Sequence, residues 1–315
     1  MTAADEISRG DRRALARGLT VIENSGDGAA ELLDALCSKT GAAHRTGITG
    51  PPGAGKSTLV AGLTREFRAA GQTVGIVAVD PTSPFTGGAL LGDRHRMSDE
   101  ARDEGVFIRS LASRGASGGL ARAAPDALDL LDAAGFDRLI VETVGVGQTE
   151  MEVAGTADTV VVVLSPESGD AVQAMKAGLL EIADILCVNK SDREGAESLV
   201  AALESMLHHR APSAAKDDWS PKVVSTNALE NAVALQKAIA SHETWLGQDD
   251  HLAARRTKGT KARLTSLVGA FALERLLDRA GDLFDREAAE VIAGRCSVRH
   301  AATRALTDLL GEKQR

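Results

Sequence analysis

Gly50-Pro51-Pro52-Gly53-Ala54-Gly55-Lys56-Ser57 is the stretch that decides the fold. It matches the pattern G-x-x-x-x-G-K-[ST], a loop whose backbone N–H groups surround phosphates, with the lysine at the terminal phosphates and the hydroxyl on Mg²⁺. The loop follows a predicted strand, Arg45–Thr49, and an apolar face after the loop predicts a helix that begins at the loop and ends near Gly71. In this setting phosphates lie at a helix N-terminus, so we predict that these eight residues and Thr58 bind a nucleotide.

A second pattern, Asn189-Lys190-Ser191-Asp192, predicts which base is bound. The carboxylate of Asp192 can accept hydrogen bonds from the N1–H and the exocyclic amine of guanine. Adenine has an acceptor at N1 and no amine at C2, so such a site discriminates strongly against it. The alternative is a turn with a helix N-cap, but the position after a predicted buried strand favours guanine. Ser225, Thr226 and Asn227, at the last predicted strand, are assigned to the same nucleotide.

Three acidic residues, Asp80, Asp93 and Glu142, are candidates for metal binding and hydrolysis. Asp80 and Glu142 end predicted strands, and the carboxyl ends of parallel strands face the ligand crevice. Asp93 lies in a glycine-rich segment. With Ser57 these acids form the predicted Mg²⁺ site, and with Lys56 they form the predicted catalytic set. The alternative for each acid is an ordinary cap or turn residue.

The segment that begins at Glu142 also fits the pattern [DE]-x-x-G. In such a segment the N–H of the glycine, here Gly145, binds the γ-phosphate and loses it after hydrolysis. The sequence leaves open which acid positions the attacking water.

The middle of the chain alternates β-branched runs with amphipathic helical stretches, which is typical of a parallel sheet covered by helices on both faces. The predicted fold is therefore α/β, a P-loop NTPase domain with a mostly parallel sheet. The predicted strands are Arg45–Thr49, Val74–Val79, Val106–Arg109, Arg138–Thr143, Thr159–Ser165, Ile185–Asn189 and Lys222–Ser225.

Helical extensions are predicted on both sides of this domain. We divide the chain into an N-terminal extension (1–43), the nucleotide-binding domain (44–247) and a C-terminal extension (248–315). Leu264, Leu267, Val268 and Phe271 form an apolar stripe in the last part, for which we favour dimerisation over packing on the chain's own core. A nearby basic run, which includes Arg255 and Arg256, is predicted to be an exposed helix start.

Composition excludes several classes of function. The net charge of −8 argues against general affinity for nucleic acid or anionic membranes. No apolar run approaches the roughly 20 residues that span a bilayer, and the N-terminus is polar rather than signal-like. The three cysteines lie far apart, which favours free thiols over disulfides or a zinc site. We therefore expect a cytoplasmic enzyme.

Several motifs together resemble one family of GTPases. They are Asp80-Pro81-Thr82-Ser83, the glycine-rich segment 87–97, the segment 142–150 and Asn189-Lys190-Ser191-Asp192. They are similar to the MeaB family, also labelled ArgK or lysine/arginine/ornithine transport ATPase, which are chaperones of adenosylcobalamin-dependent acyl-CoA mutases such as methylmalonyl-CoA mutase. The chain departs slightly from the pattern of this family at Pro52, Ala54 and the pair Pro84-Phe85. These departures leave open which mutase is the partner.

The resemblance carries several expectations about activity and assembly. It implies a G domain flanked by helical extensions that form a homodimer, with bound GTP or GDP and Mg²⁺. It implies slow GTP hydrolysis that a mutase accelerates, with the nucleotide state gating cofactor loading and protecting the mutase. It also implies that residues 165–176 sense the partner.

Two other classes of function remain as alternatives. A P-loop kinase or ATPase of an amino-acid transport system would pass phosphate to an acceptor other than water and would prefer ATP, which Asp192 argues against. A binding module without turnover is disfavoured by the acids at Asp80 and Glu142.

Overall fold

The computed structural model describes residues 2–24, 28–80, 100–112, 123–143, 155–168, 178–209, 219–227 and 232–311. The chain divides into two compact units, one up to Arg256 and one from Thr257 to Arg315. The first unit contains the sheet, and the second is helical.

The sheet has seven strands in the order β3-β2-β4-β1-β5-β6-β7, and neighbouring strands run parallel. The strands are β1 (His44–Thr49), β2 (Val74–Asp80), β3 (Val106–Ala112), β4 (Arg138–Glu142), β5 (Thr159–Leu164), β6 (Ile185–Val188) and β7 (Lys222–Ser225). After β1 the chain passes to one side of the sheet for β2, β3 and β4, and then crosses to the other side for β5. Strand order therefore reverses at β1, where open α/β sheets bind ligands.

Helices cover both faces of this sheet. The helices of the first unit are α1 (Ala3–Ile7), α2 (Arg12–Glu23), α3 (Ala29–Leu36), α4 (Lys56–Ala69), α5 (Ala123–Ala133), α6 (Leu179–Ile182), α7 (Ala196–His209) and α8 (Val233–Leu246). Helix α9 (His251–Ala280) begins in the first unit and continues into the second, which also contains α10 (Leu283–Ile292) and α11 (Val298–Leu310). Short 3₁₀ turns occupy Cys37–Lys39, Glu100–Arg102 and Pro166–Ser168.

Burial on both faces explains the apolar runs of the central strands. In β5, Val160 and Val162 belong to the core on one side, with α5, whereas Val161 and Val163 belong to the core on the other side, with α4 and α8. Successive side chains of a strand point to opposite faces, so a strand covered on both sides is apolar throughout. The predicted α/β fold and its parallel sheet are confirmed.

The predicted strands all occur, with small differences at their ends. The largest difference is in β3, which continues three residues beyond the predicted end at Arg109 because its pairing with β2 extends to Ala112. Helix α4 begins at Lys56 as predicted and ends at Ala69, just before Gly71 at a φ of +78°.

The N-terminal helices pack against the sheet domain rather than extending away from it. Leu15 and Leu19 of α2 are buried in the same core as Leu128 and Leu131 of α5. The guanidinium of Arg12 donates to the carbonyls of Glu104 (2.8 Å) and Val106 (2.6 Å), beside the start of β3. This contact fixes α2 against the sheet.

The prediction of an exposed basic helix start is wrong for Arg255 and Arg256. Arg255 donates to both carboxylate oxygens of Asp184, at 2.9 and 2.6 Å. Arg256 donates to both oxygens of Asp158, at 2.8 Å each, and to the carbonyls of Gly41 and Ala43. The side chain of Asp158 is only 3% exposed and that of Asp184 11%, so these partly buried arginines act as counter-ions to buried carboxylates at the start of α9.

Two histidines, His44 and His242, lie close to these ion pairs and share a hydrogen-bonding partner, Thr159. The hydroxyl of Thr159 lies 2.8 Å from both His44 Nε2 and His242 Nδ1. Burial lowers the pKa of His242 to about 3, with the positive charge of Arg255 adding to the effect. His242 is therefore neutral at physiological pH, and its ring packs against Trp219 and Trp245 as part of the core.

In the second unit, α10 and α11 pack together through an ion pair. Arg304 of α11 donates to both carboxylate oxygens of Glu287 in α10. The stripe residues Leu264, Val268 and Phe271 on α9 are 56%, 64% and 56% exposed. Among the described residues, no helix combines the length and apolar character needed to cross a membrane.

Candidate functional site

The register of the sheet brings the predicted nucleotide motifs to one edge. Ile48 of β1 pairs with Glu142 of β4, and Thr49 of β1 pairs with Val162 of β5. Leu164 of β5 in turn pairs with Val188 of β6. The phosphate loop after β1, the acid that ends β4 and the segment after β6 therefore leave the sheet at neighbouring positions.

The phosphate loop depends on glycine at its first position. Gly50 has a φ of +137°, and a Cβ built there would lie 2.1 Å from the carbonyl oxygen of Val163 in β5. No side chain fits this approach. Gly53, at the tip of the same loop, also has a positive φ of +82°, but a Cβ there would meet nothing within 4 Å.

The loop wraps around its own lysine. Lys56 is only 7% exposed, and its ammonium donates to the carbonyls of Gly50 at 2.8 Å and Pro51 at 3.0 Å. Lys56 is also the first residue of α4, so its positive charge lies where a helix N-terminus already favours anions. The site is built to hold a negatively charged group.

The next residue connects the loop to β4. The hydroxyl of Ser57 donates to Glu142 Oε1 at 2.7 Å, and both side chains are buried. Thr143, which follows Glu142, donates its hydroxyl to that of Thr49 at 2.9 Å. Thr49 did not stand out in the sequence, because nothing there indicates that the ends of β1 and β4 touch.

The segment Asn189-Lys190-Ser191-Asp192, which is predicted to bind guanine, is called the base motif below. Its first residue, Asn189, connects it to the phosphate loop. The side-chain Nδ2 of Asn189 donates to the carbonyl of Ala54 at 2.9 Å, and its Oδ1 accepts a hydrogen bond from the hydroxyl of Thr226 at 3.5 Å. The backbone N–H of Ser191 donates to the carbonyl of Thr226 at 3.0 Å. The segments after β6 and β7 are thereby held against the loop as one assembly.

The remaining motif residues lie towards solvent. The carboxylate of Asp192 is 52% exposed, and one of its oxygens lies 3.5 Å from Nε of Arg193. Lys190 adopts a left-handed backbone conformation with a φ of +56°. Its ammonium donates to Glu167 Oε2, at 2.7 Å. Asp192 is thus open to a base approaching from outside.

Of the other predicted site residues, some are placed by their position in or beside a helix or strand, and the rest lie outside the described residues. Thr58 lies in the first turn of α4, Ser225 ends β7, and Asn227 follows Thr226. The backbone of Asp80 ends β2 two residues beyond Ala78, which pairs with Glu142, so it reaches the same edge. The side chain of Asp80, all of Asp93 and Gly145, and residues 169–177 lie outside the described residues.

Cys187, in the strand that precedes Asn189, is a buried thiol. Burial raises the pKa of Cys187 in β6 to about 12, and its sulfur lies 3.3 Å from the hydroxyl of Thr226. The thiol therefore stays protonated and has no part in nucleophilic chemistry.

Comparison with known proteins relates this site to GTPases. The model of a family described as "Methylmalonyl Co-A mutase-associated GTPase MeaB" matches residues 15–281. A putative GTPase of Pyrococcus abyssi is 48% identical over 266 residues, which cover 84% of this chain and 82% of that protein. GTPase ArgK of Escherichia coli is 41% identical over 239 residues, covering 73% of this chain and 72% of its own length. A crystal structure described as LAO/AO transport system kinase aligns with a TM-score of 0.75 at 28% identity, covering 98% of this chain and 96% of that one.

The two loop glycines give a matched pair of variants. Gly50→Ala should lower the free energy of unfolding by about 3 kcal/mol or more and abolish measurable GTP binding, because the methyl group collides with the backbone of β5. Gly53→Ala should cost only about 1 kcal/mol, since it adds backbone strain without a collision. Chemical denaturation and GTP titration check both effects, and equal losses in the two variants would contradict the geometry.

Proposed function

The chain belongs to the MeaB family of GTPases and hydrolyses GTP, and we propose that it serves an adenosylcobalamin-dependent acyl-CoA mutase of the methylmalonyl-CoA type. In this role the bound nucleotide gates loading of the cofactor into the mutase and protects the mutase from inactivation. The family description names a mutase, and the motifs quoted from the sequence resemble those of mutase chaperones.

One contact carries the assignment of the nucleotide site, namely the hydrogen bond between the Asn189 amide and the Ala54 carbonyl. It joins the segment that selects the base to the loop that holds the phosphates. We assign the phosphates to the loop N–H groups and Lys56, and the guanine edge to Asp192. In this assignment, the segments that bind the two ends of the nucleotide are hydrogen-bonded to each other.

The residues present fit Mg²⁺. The Ser57 hydroxyl and the Glu142 carboxylate are hard oxygen donors only 2.7 Å apart, and β2 delivers Asp80 to the same edge. We propose Ser57, Asp80, Asp93 and Glu142 as the residues that hold the ion, directly or through water. When bound, the ion neutralises negative charge on the transferring phosphoryl group.

The chain's own residues supply the rest of the chemistry. We propose that Lys56 leaves the loop carbonyls for the β- and γ-phosphates, where its charge stabilises the transition state. The buried position of the lysine strengthens this interaction, because water does not screen it fully. An acid among Asp80, Asp93 and Glu142 positions the attacking water.

Phosphate release tests the mutase partnership. With γ-labelled GTP, addition of a methylmalonyl-CoA-type mutase should raise the rate of free phosphate release severalfold. Lys56→Ala should abolish release in both conditions, which controls for contaminating activity. Unchanged release, with no binding of the mutase in either the GTP or the GDP state, would contradict the proposal.

The same assay decides the transport alternative. The structural relative described as LAO/AO transport system kinase gives this alternative its support. A kinase would place the label on an acceptor protein, whereas a GTPase chaperone releases it as inorganic phosphate. Label on an acceptor would replace the mutase proposal.

We further propose that the second unit mediates homodimerisation, and that the protein works in the cytoplasm. Leu264, Val268 and Phe271 recur at helical spacing on one face of α9, and more than half of each side chain is exposed. A second copy of the same stripe would cover them.

The proposal of a cytoplasmic location draws on the cysteines. All three cysteines are free thiols, which suits a reducing compartment.

The stripe has a matched control on the opposite face of the helix. Light scattering of the wild type should give twice the 32.7 kDa of one chain. The double variant Val268→Glu/Phe271→Glu should give a single chain mass, because charges replace the apolar contact. Ser266→Glu, on the far side of α9, should remain dimeric. A monomeric wild type, or a double variant that stays dimeric, would contradict the assignment.

A further inference from the structure

The base motif is tied to the turn that follows the neighbouring strand. Glu167 lies in the 3₁₀ turn Pro166–Ser168 directly after β5, and Lys190 follows β6. Because β5 and β6 pair through Leu164 and Val188, both segments leave the sheet at the same edge. The ammonium of Lys190 donates to Glu167 Oε2, at 2.7 Å.

Arg193 extends this contact to the carboxylate assigned to the base. Its Nε lies 3.6 Å from Glu167 Oε1 and 3.5 Å from Asp192 Oδ2. Glu167 therefore faces two cations, and one of them is shared with Asp192. Its hydrogen bond to Lys190 and the charge of Lys190, followed by that of Arg193, hold the pKa of Glu167 below its usual value. The carboxylate is thus charged at neutral pH.

The backbone of the base motif also requires a restraint. Lys190 has a φ of +56°, a conformation that costs a residue other than glycine about 1 kcal/mol or more. Such strain persists where the surroundings fix the residue. On one side Asn189 is held by the carbonyl of Leu164, and on the other Ser191 is held by that of Thr226. The ion pair with Glu167 fixes the Lys190 side chain between them.

We propose that Glu167 is a positioning residue that controls how long a guanine nucleotide stays bound. It holds Lys190 in place and shares Arg193 with Asp192, so that Arg193 does not pair with Asp192 alone and the Asp192 carboxylate remains available to the base. Without Glu167, Arg193 has Asp192 as its remaining acidic neighbour among the described contacts and competes with guanine for it. The inference rests on the proposed role of Asp192 in reading guanine. It links nucleotide release to the position of the turn after β5.

The dissociation rate of a fluorescent GDP analogue from the full chain tests the inference. Glu167 and Lys190 are 44% and 31% exposed, and ion pairs at such positions are weak. We therefore expect Glu167→Gln to raise the dissociation rate about two- to fivefold. The control Glu194→Gln removes the same charge from an exposed residue two positions beyond Asp192, and should leave the rate unchanged.

Two further measurements separate positioning from a general effect on folding. The effects of Glu167→Gln and Lys190→Gln should be less than additive in the double variant, because either change breaks the ion pair between these two residues. The difference between wild type and Glu167→Gln should shrink in 1 M salt, where the screening length falls to about 3 Å. Additive effects, or a difference that salt does not change, would overturn the inference.

Asp192→Asn distinguishes failure of the inference from failure of the guanine site. This change removes a charged acceptor from the base and should weaken GDP binding at least about tenfold. If Asp192→Asn binds GDP normally, the proposed guanine site is wrong. If Asp192→Asn weakens binding while Glu167→Gln behaves like Glu194→Gln, the guanine site stands and the role of Glu167 is wrong.

Discussion

Parallel register is the constraint on which every contact of the site depends. The strands β1, β4, β5 and β6 are paired so that their carboxyl ends lie within two residues of one another, and β7 extends the row. A shift of one residue between β1 and β5 would bring the wrong side chains to the edge. Gly50 makes this register visible, because only a residue without a Cβ passes Val163 at the observed distance. The core on both faces of the sheet therefore sets the geometry of the loop.

Within that frame, Lys56 and its two carbonyl acceptors set the energetics of the loop. Hydrogen bonds from a charged donor are worth about 1.5–3 kcal/mol each, so the loop is already stabilised around its own lysine. A phosphate offers a full negative charge in place of two carbonyl dipoles, which makes the exchange favourable. The contacts of Ser57 with Glu142 and of Asn189 with Ala54 spread this exchange to β4 and to the base motif. In the proposed nucleotide site, the segments assigned to the base and to the phosphates are therefore hydrogen-bonded to each other.

The sequence was sufficient for the sheet and for the order of the motifs. Strands β2 and β6 are buried on both faces and are nearly continuous apolar runs, and the polar residues Asp80 and Asn189 mark where these runs end. The end of β1 is marked by the phosphate-loop pattern that begins at Gly50. Contacts between distant segments were invisible. The run with Arg255 and Arg256 has the pattern of an exposed helix face, because its counter-ions Asp184 and Asp158 lie about 70 and 100 residues earlier in the chain. The pairing of Glu167 with Lys190 likewise depends on which strands are neighbours, which no local pattern encodes.

A crystal structure with GDP and Mg²⁺ tests the central claim most directly. The account predicts that the Lys56 ammonium moves from the carbonyls of Gly50 and Pro51 to the phosphates, and that the guanine edge lies within hydrogen-bonding distance of the Asp192 carboxylate. Density for the nucleotide away from the phosphate loop, or a base that makes no contact with Asp192, would contradict it.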